Sequence, residues 1–466
     1  MHVIDVFLTS IKFAVARTVG RAARASGRGG GTSLPGKLLL RLEPQAIRRL
    51  SSRLSGGSAV ISATNGKTTT AAISATILER AGHTLVHNRA GANMAGGIAS
   101  TLLAAARPHQ GIAGDTGLFE VDEFWLGAVT QQLRPRAVLL ANLFRDQLDR
   151  YGELETIAGR WAGVVAGLDS SSALVLNADD PLIADLGRGR ADVTYFGVDD
   201  QALALPEMQH ASDSKHCRRC GAPYSYDAIY LGHLGHYHCP NCGQQRPRPG
   251  IRAEQITLHG TSSASFTLVT PDAQRPVSLR LPGLYNVYNA LAATALCLSL
   301  GVSLDDVVDG LQSATAAFGR AETVEVGGTE LQLLLIKNPA GANEILRTLA
   351  LESDQLDVLA VLNDNIADGR DISWVWDADF ELLSSRLRHV TCAGTRAAEL
   401  AVRLKYAGVP AAALTVVPAL PAALDQALAT AAGERVFALP TYTALLALRA
   451  ELAARGHVSR YWEEAP

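Results

Sequence analysis

Apolar residues along this chain fall mainly in short unbroken runs, and each run is followed by a longer stretch of helical character. Between residues 56 and 205 the runs lie at 59–61, 84–87, 117–121, 137–141 and 173–176. A strand that is apolar at consecutive positions is covered on both faces. Its alternation with helices therefore predicts a largely parallel, doubly wound α/β sheet. Residues 206–254 change character, with cysteine, histidine, tyrosine and proline replacing alanine and leucine. The sheet pattern resumes near Ile256 and runs into a helix after Tyr285. From Glu330 a second series, L-Q-L-L-L-I, V-L-A-V-L, H-V-T-C-A, L-T-V-V and R-V-F-A-L, alternates with helical segments and reads as a smaller Rossmann-like domain. The expected layout is an N-terminal helical segment over 1–55, a central domain over 56–320 with an insertion at 206–254, and a C-terminal αβ domain over 321–466.

Composition supports more than one core. The chain has 466 residues, 48% of them hydrophobic and 19% charged, which is a packed globular balance too long for a single ordinary domain. A net charge of −3 gives no global case for nucleic acid. The opening M-H-V-I-D-V-F-L-T-S-I-K is amphipathic and is interrupted by Asp5 and Lys12, unlike a signal peptide, and no run reaches membrane-span length. A cytoplasmic protein is expected. Its first helix is expected to pack on its own core or on a partner, with the inner membrane surface as the other reading.

The six cysteines are distributed unevenly. Cys297 and Cys392 stand singly in apolar surroundings and read as core. Cys217-x-x-Cys220 and Cys239-x-x-Cys242 are separated by the 18 residues 221–238, and each pair is followed by glycine. Two such knuckles predict four thiolates around one tetrahedral zinc, a closed and therefore structural site. His216, His236 and His238 are then surplus to the shell. Zinc ribbons also bind nucleic acid. Here the ribbon interrupts an αβ domain and carries a modest basic set, Lys215, Arg218 and Arg219, which argues against that use.

The stretch A-T-N-G-K-T-T-T (63–70) breaks an apolar strand and enters a helix. It fails the general phosphate-loop pattern, because Ile61 stands where the first glycine is required. The turn still aims backbone N–H groups and a helix N-terminus at one point, adds Lys67, and offers the Thr68 hydroxyl to the magnesium of bound ATP. A solvated strand-to-helix turn is the competing reading. Three other segments bear on the choice. L-F-E-V-D-E-F (118–124) ends a strand in carboxylates, where magnesium can be held. N-L-F-R-D-Q-L-D-R-Y-G (142–152) offers Asn142, Asp146 and Asp149, and L-P-G-L-Y-N-V-Y-N-A-L-A-A (281–293) sets Asn286 and Asn289 one helical turn apart.

In this order, together with V-L-N-A-D-D-P (175–181), these segments resemble the ATP-dependent Mur ligase family, which includes folylpolyglutamate synthase. That resemblance covers roughly 56–320. With the ribbon, I-K-N-P-A-G-A-N-E (336–344) and D-G-R-D-I-S-W-V-W-D (368–377), nearly the whole chain is similar to the MurT-type ligase subunits of lipid II isoglutaminyl synthases. The resemblance implies ATP-dependent amidation of the α-carboxyl of D-glutamate in lipid II through an acyl-phosphate. Ammonia comes from a glutamine amidotransferase partner of the GatD type, in a heterodimer working at the inner membrane face.

Carried onto this sequence, Thr64, Asn65, Gly66, Lys67, Thr68 and Thr69 cradle the phosphates. Glu120 holds magnesium with Thr68, and Asp122 and Glu123 remain open as neighbours. Asn286 and Asn289 hold adenine or ribose, Arg320 contacts the nucleotide, and residues 87–93 line the muropeptide side. Asp371 completes the partner's Cys–His pair, with Asp368 and Asp377 as alternatives, or else only caps the turn before S-W-V-W. Lys337 either steadies the acyl-phosphate or is a solvated strand-end lysine.

Two departures from the amino-acid-adding Mur ligases stand out. Gln147 occupies their usual histidine, and residues 157–163 lack the lysine that supports a second metal. No Cys–His pair suits a glutaminase. Trp374 and Trp376 share a face if W-V-W-D is extended, as an interface pair would. The rival readings are a ligase that adds an amino acid, which the missing lysine disfavours, and a non-catalytic ATP-binding zinc protein that docks nucleic acid, which the charge disfavours.

Overall fold

The computed structural model describes residues 12–13, 15–18, 33–88, 92–107, 111–146, 154–209, 212–315, 320–432 and 435–459, and every structural statement below concerns these residues. Six strands come first: β1 (Gly57–Ser62), β2 (Leu85–His87), β3 (Thr116–Glu120), β4 (Ala137–Leu140), β5 (Ala173–Asn177) and β6 (Val193–Val198). A two-stranded hairpin follows, β7 (Ser225–Leu231) and β8 (Leu234–His238), and then β9 (Ile251–His259), β10 (Ser263–Val269) and β11 (Gln274–Leu279). All but the hairpin join in one nine-stranded sheet of order β11-β10-β9-β6-β5-β4-β1-β3-β2. It is parallel from β2 through β9 and antiparallel across β9, β10 and β11.

The unbroken apolar runs have a direct cause. In β1, Ala59 and Ile61 enter one core, beside Leu118 and Leu139, while Val60 enters the core on the opposite face with Phe119 and Val138. Successive strand residues alternate sides, so a sheet buried on both faces needs every position apolar. β9 has the opposite character, with buried and exposed positions alternating, because one of its faces meets solvent. It begins at Ile251, inside the stretch read from sequence as insertion. The R-A-E-Q residues hide it from a search for apolar runs.

The second sheet contains β12 (Arg320–Val326), β13 (Thr329–Leu334), β14 (Leu356–Val361), β15 (Leu387–Ala393), β16 (Leu414–Val416) and β17 (Arg435–Pro440), in the order β12-β13-β17-β14-β15-β16. It is parallel apart from the β12–β13 pair. Val358 and Ala360 face one core, Leu359 and Val361 the other. No described helix is long and apolar enough to cross a membrane.

In an open α/β sheet, ligands bind beyond the carboxyl ends of the strands where the strand order reverses. In the large sheet that point is β1, which lies between β3 and β4. The turn 63–66 leaves from its end.

Candidate functional site

The turn after β1 is braced from below. Asn142, beyond the end of β4, accepts the Asn65 amide at 2.9 Å on its Oδ1 and donates its Nδ2 to the Asn65 carbonyl at 3.0 Å. Thr64 Oγ1 accepts the Phe144 amide at 3.1 Å. Thr64 thus shapes the loop through its side chain, and its amide is tied as well, donating to the Asn142 carbonyl at 3.1 Å. Gly66 is left-handed, with φ +82°, at the N-terminus of helix Lys67–Arg80. A Cβ there would lie 2.1 Å from Asn289 Oδ1, so both conformation and space demand glycine. Thr69 is buried and Thr68 half-buried on the helix's first turn.

Lys67 is buried and its amine bonds Glu123 Oε2 at 3.0 Å and the Ala63 carbonyl. Burial works against its charge, but Glu123, Glu120 and Asp122 outweigh burial and raise the pKa, so the lysine stays cationic. Burial likewise works against ionised Glu123, and Lys67 and Lys337 outweigh it, holding that carboxyl below its ordinary value. Glu120 is buried at the end of β3. Its backbone amide donates to Asn88 Oδ1 at 2.9 Å, and its Oε1 accepts from Asn93 Nδ2 at 3.4 Å. The two ends of segment 87–93 therefore brace the acidic strand end, and residues 89–91 between them lie outside the described set.

Helix Leu284–Ser299 supplies the next wall. Asn289 Oδ1 accepts from Thr70 Oγ1 at 3.2 Å, and its Nδ2 donates to Asn286 Oδ1 at 3.0 Å. The turn spacing read from sequence thus brings both asparagines to the loop. The small sheet closes the other side. Lys337 donates to the Thr64 carbonyl at 3.1 Å and to Asp146 at 2.5 Å, so it is no solvated strand-end lysine. Asn338 caps helix Pro339–Leu349 through the Gly341 amide and exchanges side-chain bonds with Asn65 at 3.0 and 3.2 Å. Between these walls lies a cleft lined by Gly66, Thr69, Asn286, Asn289, Lys337 and Glu344 among others.

The four predicted metal ligands converge. Their sulfurs all lie within 4.8 Å of one another, with Cys217–Cys242 at 3.5 Å and Cys220–Cys239 at 3.4 Å. Tetrahedral zinc with bonds of about 2.3 Å needs sulfurs about 3.8 Å apart, so the donor set fits after a small expansion. His236 is engaged elsewhere, with Val198 O and Asp199, and no histidine belongs to the cluster.

The three aspartates of segment 368–377 differ sharply. Asp368 is buried, and its two oxygens accept the Thr443 amide at 2.7 Å and hydroxyl at 2.5 Å. Asp377 pairs with Arg145 at 3.2 Å. Asp371 is exposed; it accepts the Ser373 amide at 2.8 Å, and bonds from the Ser373 amide and then its hydroxyl hold its carboxyl below the ordinary value.

The W-V-W-D run is not extended, so the condition for a shared tryptophan face is not met. Ser373–Asp377 is a 3₁₀ turn, which sends Trp374 and Trp376 to different sides. Trp374 packs on the small core, while Trp376 is 54% exposed beside Tyr406, itself 76% exposed, with the Arg403 guanidinium against its ring. Cys297 and Cys392 are buried, and burial raises both thiol pKa values.

Arg320 begins β12, and its side chain lies outside the described residues, as do Gln147 and Asp149. Sequence reasoning missed Arg246 and Tyr288, which bond the two oxygens of buried Asp179, both at 2.6 Å. It also missed Arg145, which bridges Asp213 and Asp377. The D-D pair at 179–180 was the available signal, since buried carboxylates demand partners.

A family described as Mur ligase middle domain matches residues 61–243, and one described as MurT ligase C-terminal matches residues 335–445. The chain is 34% identical over 397 residues to the MurT subunit of lipid II isoglutaminyl synthase (glutamine-hydrolyzing) of Staphylococcus aureus strain N315, covering 85% of this chain and 87% of that one. Against the Streptococcus pneumoniae subunit of the same description, identity is 32% over 452 residues, covering 96% and 98%. Among solved structures, a pseudomurein peptide ligase type C from Methanothermus fervidus superposes with TM-score 0.66 at 21% identity, over 87% of this chain and 80% of that one. A MurF structure from Acinetobacter baumannii gives 0.65 at 20% identity, over 90% and 80%.

Proposed function

As the chain belongs to the Mur ligase family, in its MurT branch, we propose that it amidates the α-carboxyl of D-glutamate in lipid II, using ATP and ammonia. The observation that carries this reading is the cleft itself. The loop at Gly66, the asparagines of helix Leu284–Ser299 and Lys337 of the small sheet meet there from three directions.

On this reading the backbone N–H groups of 66–69 and the Lys67 amine bind the triphosphate, while the Thr64 and Asn65 amides, held by Asn142, fix the loop's shape. Thr68 and Glu120 would hold magnesium, which offsets charge on the transferring phosphoryl group. The four cysteines would hold zinc as a structural ion. A substrate carboxylate oxygen attacks the γ-phosphorus and ADP departs. Ammonia then attacks the carbonyl carbon, inorganic phosphate leaves, and a proton is lost to give the carboxamide. Lys337, against Thr64 O and Asp146, brings a cation to the side of the loop where that charge develops.

Ammonia would come from a glutamine amidotransferase partner of the GatD type. Neither Cys297 nor Cys392 is placed as a nucleophile, which supports an external source. Asp371 is the aspartate of its segment that combines exposure with freedom from an ion pair, which favours it over Asp368 and Asp377 as the acid completing the partner's triad. Trp376, exposed on the same segment and paired with Tyr406, suits a protein interface. The enzyme would act at the cytoplasmic membrane face, where its lipid-linked substrate is presented, and needs no nucleic acid.

The test supplies purified protein with magnesium-ATP, lipid II and ammonium. ATP should be consumed in step with carboxamide formation, and free amino acids should not replace ammonium. Turnover with an amino acid but not with ammonium would favour the amino-acid-adding rival.

A further inference from the structure

The metal ribbon does not stand apart from the nucleotide cleft. Its hairpin connects the two knuckles at one end, and at the other end Leu231 and Leu234 line the cleft beside Phe144. Both leucines are buried. The tip is fixed by three bonds. The Gly235 amide donates to Asp179 O at 2.9 Å, the Gly232 amide donates to Gln209 Oε1 at 2.7 Å, and Arg347 donates to Tyr230 O at 2.7 Å. Arg347 also donates to Glu344 Oε1 at 2.8 Å, and Glu344 lines the cleft from helix Pro339–Leu349. Burial raises the Glu344 pKa despite that arginine. Gly232, with φ +56°, lets the tip press on Phe144, since an added Cβ would sit 3.0 Å from the ring.

We propose that the ribbon hairpin is the apolar wall against which the nucleotide base lies, so that the metal site holds part of the ATP subsite in place. The inference rests on the nucleotide reading above and adds to it. The five residue steps from Leu234 to Cys239 span roughly 17 Å, so the metal acts through strand pairing and not by contact. Chemically, the wall supplies flat apolar contact from Leu231, Leu234 and Phe144. Polar reading of the base edge falls to Glu344 on the facing wall. The phosphates, by contrast, lie on the loop's side of the cleft and do not meet the hairpin. This makes the ribbon a positioning element specific to the nucleoside half of ATP.

The experiment measures equilibrium binding of ATP and of inorganic tripolyphosphate to the full-length protein, each with magnesium, by calorimetry. Wild type, Leu234→Ala, and wild type stripped of metal by a chelator are compared, with metal content and thermal stability recorded for each. ATP affinity should fall about tenfold in Leu234→Ala, the amount expected for losing most of one side chain's apolar contact, with tripolyphosphate affinity unchanged. Metal-stripped protein should show the same selective loss. Leu234→Met, which keeps the volume, should bind ATP as wild type does and guards against a folding defect in the alanine variant. Equal loss of both ligands, or unchanged ATP binding after either perturbation, would overturn the proposal. Failure of wild type to bind ATP at all would instead remove the nucleotide reading on which it rests.

Discussion

Lys67 serves the fold and, on the proposed function, the triphosphate as well. Its charge is buried and balanced chiefly by Glu123. Removing it leaves a buried carboxylate with its main partner gone, which costs about 3–5 kcal/mol where no other cation compensates. Lys337 compensates in part here. Lys67→Ala is therefore expected to lower both thermal stability and ATP affinity. Lys67→Met combined with Glu123→Gln should recover most of the stability and none of the affinity. If the double variant binds ATP normally, the loop is structural only. At this scale the sequence was informative wherever chemistry is local. Gly66, Lys67 and Thr68 follow one another on a strand–turn–helix, and Asn286 and Asn289 share a helix face. It was silent on Asn65 with Asn338, or Lys337 with Thr64, because those partners are 273 residues apart. No local pattern encodes such a pairing.

Among elements, the parallel strands were legible because burial on both faces writes itself as an unbroken apolar run. β9 was misplaced because one of its faces is wet, and the conformation of W-V-W-D was left open because five residues are too short to show a period. The cysteine ribbon was legible for another reason: metal geometry fixes ligand spacing more tightly than packing fixes any apolar pattern. Its position over the cleft was not legible, since nothing in the spacing says which way a hairpin leans. If the metal folds this element, Cys239→Ser should lose the metal and at least about 3 kcal/mol of local stability, the scale associated with losing a structural metal. Amide exchange over 225–238 is the direct readout. Exchange that stays as slow as wild type after the metal is gone would mean the hairpin stands on its own packing.

At the scale of the whole molecule, two sheets present the carboxyl ends of β1 and β13 to one cleft, and the exposed Asp371 lies in the stretch that follows β14. Phosphoryl transfer is proposed for the cleft, and ammonia supply for a partner docked at Asp371. Asp371→Asn should therefore cripple glutamine-dependent amidation by the complex and leave synthesis from ammonium intact. Equal loss with both nitrogen sources would return Asp371 to the ligase site or the fold. The division of labour rests on one chemical event, activation of a substrate carboxylate by ATP. It is tested most directly with lipid II carrying heavy oxygen in the D-glutamate α-carboxyl, turned over with magnesium-ATP and ammonium, with the inorganic phosphate analysed by mass spectrometry. One heavy oxygen per carboxamide should appear in the phosphate, because the carboxylate oxygen that attacks phosphorus leaves with it. Carboxamide formed while the phosphate remains unlabelled would contradict the acyl-phosphate mechanism.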